Sequence, residues 1–340
     1  MTESEWAALP DDELLQLRFC DLNLRIEGTE LESRVVELHQ ELETANLAVK
    51  PLCYLGEEWF SPDGSPSIAV PFFLAHPRLK QLELNQILEV EGGTPEWCLQ
   101  LLRHECGHAY DHAYQFSGRE RWMEIFGNPD SEYAPETYRP RLHSRSFVHH
   151  LPNSYAQAHP HEDFAETFAV WLSLPEQEWR EQYQGWKALE KLEYVHALMV
   201  EARENNPVVS KGRKVWDASR SRRTLAKHYA AKRKLYAEDF PDFYDEDLRR
   251  IFGKQDVGNE TAAAVLRRLR QPLLTAIVHW TNQRKYTVDM LIRRLIARCR
   301  ELNLRAPQDR EQLTLELASY LAAMVTNHLH TGRFKGSIRQ

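Results

Sequence analysis

Residues 103–112 read Arg-His-Glu-Cys-Gly-His-Ala-Tyr-Asp-His and set His104, Glu105 and His108 at the spacing H-E-x-x-H. Two histidines four positions apart on a helix share one face a turn apart, so both imidazoles can reach a single metal ion. A glutamate beside the first of them projects next to the ion, where it can take a proton from a water that zinc has brought to a pKa of about 7. The chemistry in prospect is metal-assisted hydrolysis with Glu105 as general base. A surface helix with two solvated histidines gives the same string, and the chain holds 15 histidines. The motif therefore needs a third ligand from elsewhere.

The metzincin extension places a glycine three residues after the second histidine and a histidine six after it; here those positions hold Asp111 and Tyr114. His112 follows His108 by four residues, but three ligands in one straight helical row cannot surround a tetrahedral ion. The best candidates lie in Ser154–Ala169. A helix beginning at Pro160 puts Phe164, Phe168, Trp171 and Leu172 on an apolar stripe, leaving Glu162 and Glu166 together on another face. A ligating histidine needs a partner on its other ring nitrogen, which a second carboxylate one turn away can supply. An acidic helix start that merely complements the helix dipole is the plain alternative. Asp163 and His161 flank Glu162, and Asp163 is the reserve ligand; His159 suits a capping position, and Cys106 suits apolar packing.

The string "SYAQAHPHEDFAETFAVWL" resembles the bacterial zinc-binding metallopeptidases of the gluzincin type, with their Tyr-Ala, His-Pro and Glu-Asp-Phe-Ala-Glu-Thr signature. It is more distantly similar to the catalytic domain of anthrax lethal factor. The resemblance implies that Glu162 is the third zinc ligand beside His104 and His108, that Glu166 is a carboxylate supporting the ligands, and that Tyr155 offers its hydroxyl to the substrate oxyanion. It covers about residues 95–175. Members of that group often begin with a cysteine zinc ribbon, whereas Cys20, Cys53, Cys98, Cys106 and Cys299 stand singly here.

The elements that must position these groups read as an α+β, mostly helical chain. Residues 1–48 form a helical N-terminal segment broken near Gly28. Residues 49–205 form a zincin-like domain with a small antiparallel sheet, and Pro71 marks an edge strand near Val70 to which an extended peptide could add. Thr94-Pro95 caps the helix that carries the motif. Residues 206–254 form a connector that is basic from Lys211 to Lys234 and then acidic from Glu238 to Asp247, and 255–340 form an all-α region divided or kinked at Pro272.

The net charge of −7 argues against a chain that coats nucleic acid. The basic run with Trp216 and Tyr229 invites a protease acting on nucleic-acid-bound proteins, yet a charge run is more often a solvated face. The remaining alternative is an inactive or regulatory metal-binding protein, against which the intact Glu105 argues. No stretch approaches eighteen apolar residues and the start is acidic, so the expectation is a cytoplasmic zinc peptidase of peptide or protein substrates. The C-terminal helices would be available to dock another protein.

Overall fold

The computed structural model describes residues 3–133, 138, 141, 143–236, 244–253 and 257–331. The chain divides into two compact units, Met1–Gln86 with Val90–Ala230, and Ile87–Glu89 with Ala231–Gln340. Helices dominate both, as an α+β, mostly helical chain requires.

In the first unit, α1 (Glu3–Ala7) and α2 (Asp11–Leu14) are short, and α3 (Glu30–Thr44) follows Gly28 as a regular amphipathic helix burying Leu31, Leu38 and Leu42. Strands β1 (Leu52–Gly56) and β2 (Ser67–Pro71) come next, then α4 (Pro77–Ile87), α5 (Pro95–Tyr114) and α6 (Glu120–Phe126). Beyond them lie α7 (Pro160–Ser173), α8 (Glu176–Gln182), α9 (Ala188–Glu204) and α10 (Leu225–Tyr236), the last of which ends in the second unit.

The sheet is a correction to the expected antiparallel one, because β1 and β2 pair in parallel, Leu52 with Ser67 through Gly56 with Pro71. The turn at Pro62–Ser65 does reverse the chain, but it joins β2 to Phe60, which makes a single antiparallel bridge to Ala69. The chain thus passes from β1 to the far side of β2 before turning back between them. Gly56 permits that crossing, since a Cβ there would stand 2.9 Å from the Ala69 Cβ. β2 is therefore no free edge at Val70: it is buried along its whole length and paired on both sides at Ala69. Strand addition of a peptide at that point has no open backbone to use.

The basic stretch as far as Ala230 is woven into the first unit. The Val209 amide donates to the Ala113 carbonyl, the Arg213 amide to Ser65 and Ser67, and the Val215 backbone exchanges hydrogen bonds with the Tyr54 hydroxyl. Arg223 pairs with Glu57 at 2.6 Å.

The second unit holds α11 (Asp245–Phe252), β3 (Val257–Thr261), α12 (Ala262–Thr281), α13 (Lys285–Glu301), β4 (Arg305–Pro307) and α14 (Arg310–Thr331). Leu266, Leu273, Leu274 and Ile277 of α12 pack in one apolar cluster with Leu291, Ile292 and Leu295 of α13 and Leu317 and Leu321 of α14. Helix α12 runs through Pro272 without division. The region is not all-α, because β3 and β4 form an antiparallel ribbon. Asn303 in the left-handed conformation ends α13 and turns the chain into β4, and the Ala262 amide then donates to the Leu304 carbonyl. The three residues of β4 are too few to show a two-residue period in sequence. Of the acidic run, Glu238, Asp239 and Asp242 lie outside the described residues; Asp245 binds Arg298 through two hydrogen bonds of 2.6 and 2.7 Å. No helix among the described residues is long and apolar enough to cross a membrane.

Candidate metal centre

Helices α5 and α7 build the site. The Thr94 hydroxyl accepts from the Trp97 amide at the start of α5, with Pro95 at its first position. At α7, His159 Nδ1 accepts from the His161 amide and Pro160 occupies the first position. Both starts follow from local chemistry, a cap that satisfies an orphan N–H and a proline that needs none. The two helices meet closely at Gly107, inside the H-E-x-x-H motif. A Cβ at that position would lie 2.7 Å from the Ala165 Cα and 3.0 Å from its carbonyl oxygen.

Contact at that point brings candidate ligand side chains from both helices together. His104 Nε2 lies 3.0 Å from Glu162 Oε2, His108 Nε2 lies 3.2 Å from the same oxygen, and the two imidazole nitrogens are 3.2 Å apart. Two imidazoles and a carboxylate form a donor set that zinc takes in catalytic sites. Ligand atoms of a tetrahedral zinc, with bonds of about 2.0–2.1 Å, stand roughly 3.3–3.4 Å apart, so the three atoms fit one ion with little adjustment. Among the described residues this trio is the group of His, Cys, Asp and Glu side chains that could hold a metal.

The surroundings of the trio match that chemistry. His104 is only 3% exposed, and its Nδ1 lies 2.8 Å from Glu166 Oε1. The other Glu166 oxygen accepts from the Leu151 amide at 2.8 Å. Glu166 therefore fixes the ring so that Nε2 is turned to the trio. Burial opposes a charge on His104, but its hydrogen bonds to the accepting carboxylates of Glu162 and Glu166 outweigh it and raise the imidazole well above its ordinary pKa. Burial also pushes the Glu105 carboxyl up, with His104 and His108 opposing. Glu105 makes no hydrogen bond among the described residues and is 7% exposed.

Asp163 does not join the trio. Its Oδ2 is 2.5 Å from Lys191 Nζ on α9, and both side chains are buried. His161 Nδ1 faces Asp111 Oδ2 at 3.3 Å, and His112 Nε2 lies 4.0 Å from Asp63. Cys106 is wholly buried. The Tyr155 ring lies beside His104, 5.6 Å between centroids. Its hydroxyl is 3.2 Å from that of Tyr133, which donates to Glu162 Oε1 at 2.8 Å.

Residues 98–212 match the model of the family described as "putative zinc-binding metallo-peptidase". The matched stretch contains all of α7 and α9 and every member of the trio. The chain is also similar to uncharacterized proteins of Mycobacterium bovis and of two strains of Mycobacterium tuberculosis. Each is 38% identical over 81 residues, which are 21% of this chain and 23% of the relative. The chain thus spans under a quarter of the length of those relatives. No solved structure matches the chain, and the expected distant similarity to anthrax lethal factor gains no support.

Gly107, Tyr133 and Lys191 escaped the sequence reading. Gly107 did leave a signal: glycine within a long helix costs about 1 kcal/mol relative to alanine and needs a packing reason. Gly107→Ala is expected to destabilise the protein by about 1–3 kcal/mol, the range for overpacking. It should also weaken zinc binding, since α5 and α7 each bring ligands. Urea unfolding and chelator competition measure both, and a variant matching the wild type in both would show that the helices separate freely.

Proposed function

We propose that the protein is a zinc-dependent peptidase that hydrolyses peptide bonds of peptide or protein substrates at the His104–His108–Glu162 centre. The observation that carries this is the meeting of two helices so that three candidate ligand atoms converge within 3.2 Å, beside a buried glutamate whose side chain makes no hydrogen bond among the described residues. The family match over residues 98–212 supports the same reading.

His104, His108 and Glu162 would hold the ion, and Glu166 would keep His104 in the required tautomer. When bound, zinc supplies a Lewis acid for the carbonyl and an acidified water. Glu105 takes the proton of the attacking water and delivers it to the leaving amine nitrogen. Burial suits it to that exchange, because it makes the carboxylate a stronger base towards the water and brings the carboxyl nearer to neutral pH, where both protonation states can take part. Tyr155, beside His104, donates to the oxyanion that develops on the carbonyl oxygen. Among the described residues Arg213 and Arg223 of the basic stretch are engaged within the fold, and a nucleic-acid role for that stretch gains no support from them.

Metal analysis tests the reading. The purified chain should carry about one zinc, by the one-site logic of a catalytic centre. A chelator should remove both the metal and cleavage of a peptide library, and added zinc should restore both. Cleavage that persists in the chelated, metal-free protein would overturn it.

A further inference from the structure

Glu162 offers two oxygens, and only one of them meets the imidazoles. Oε2 is shared between His104 and His108, while Oε1 accepts a hydrogen bond of 2.8 Å from the Tyr133 hydroxyl. Nothing in the sequence singles out Tyr133, and it lies outside both motif helices. Its position is nevertheless specified. His159, the cap of α7, lies 3.1 Å by its Nε2 from both the Ser131 hydroxyl and the Ser131 carbonyl oxygen. The Tyr133 ring then stands edge-on to His159, 5.3 Å between centroids. The residue that starts the ligand helix therefore also anchors the segment that delivers Tyr133 to the ligand.

The hydroxyl has one proton, and its partners determine where that proton goes. A glutamate that ligates a metal ion does so as a carboxylate. A carboxylate only accepts, so Tyr133 donates to Oε1 and its oxygen is left to accept from Tyr155, 3.2 Å away. Without substrate the order is Tyr155 to Tyr133 to Glu162, and the Tyr155 proton turns from Tyr133 to the oxyanion when substrate is bound.

We infer that Tyr133 is a positioning residue that engages Oε1 of Glu162 and so restricts Glu162 to one-point ligation through Oε2. The inference rests on the metallopeptidase reading and deepens it. A carboxylate can bind through one oxygen or two, and the second mode would use a position that a catalytic site keeps open for water. With Oε1 engaged by a phenol, that position stays available. Outer partners of this kind typically contribute about 10–100-fold to metal affinity.

The test is Tyr133→Phe, which keeps the ring on His159 and removes only the hydroxyl. Zinc affinity by chelator competition should fall about tenfold. The cobalt-substituted variant should show weaker visible bands than cobalt-substituted wild type, because the freed Oε1 raises the coordination number above four. A general loosening of the fold does not produce that spectral change. If wild type binds zinc and cobalt while Tyr133→Phe matches it in affinity and spectrum, this inference alone fails. If wild type takes up neither metal, the metallopeptidase reading fails and this inference with it.

Discussion

Replacing Glu105 with glutamine is expected to lower peptide hydrolysis by about 10²–10⁴-fold, the contribution typical of a positioned general base, with zinc content unchanged. The two carboxamide and carboxylate side chains are nearly the same size, so α5 keeps its packing. The trio of His104, His108 and Glu162 does not include Glu105, so the donor set survives. What disappears is a group that accepts a proton beside the attacking water. The contrast is His104→Ala, which deletes a ligand and strands Glu166, whose Oε1 then loses its 2.8 Å partner. That variant should lose metal and activity together. Metal analysis and peptide cleavage, measured on both proteins, separate holding the ion from using it. Wild-type turnover by Glu105→Gln would remove Glu105 from the mechanism, whatever the metal content.

The parts of this site that sequence made readable are those with a helical period or a cap. His104 and His108 are four apart, as are Glu162 and Glu166, and a proline follows each capping residue, Thr94 and His159. All these signals act within one helix, where spacing determines the face. The remaining features depend on which elements meet. Gly107 matters because Ala165 passes behind it, and Asp163 is withdrawn from ligation because Lys191, 28 positions later, reaches it. Tyr133 reaches Glu162 from a segment without periodic structure. The sheet failed for a related reason: a reversing turn predicts that its two arms pair, and they do so only at Phe60 and Ala69, while β1 takes the long side of β2. The three-residue β4 was too short to interrupt a helical reading.

The Asp163–Lys191 pair leads to the second large expected effect, on stability. Lys191→Met is expected to destabilise the protein by about 3 kcal/mol, the low end of the range for removing one partner of a buried ion pair. Both side chains are almost fully buried, with 5% of Lys191 and 2% of Asp163 exposed, so solvent screens the pair little. The Lys191 ammonium also sits 4.1 Å from the centroid of the Phe147 ring, a further contact that methionine keeps only as packing. Asp163 Oδ1 has no hydrogen-bond partner among the described residues, so no hydrogen bond there compensates the carboxylate once the lysine is gone. The low end applies because burial already pushes the Asp163 carboxyl up to about 7, against the pull of Lys191, and without the lysine it takes a proton rather than staying charged. Urea unfolding of chelated protein measures the loss without a contribution from metal binding. Asp163→Leu in the Lys191→Met background should recover most of it, since a buried pair replaced by apolar residues is often neutral. An unchanged urea midpoint for Lys191→Met would mean that the pair does not hold α7 to α9, and that Asp163 stays neutral with or without its partner.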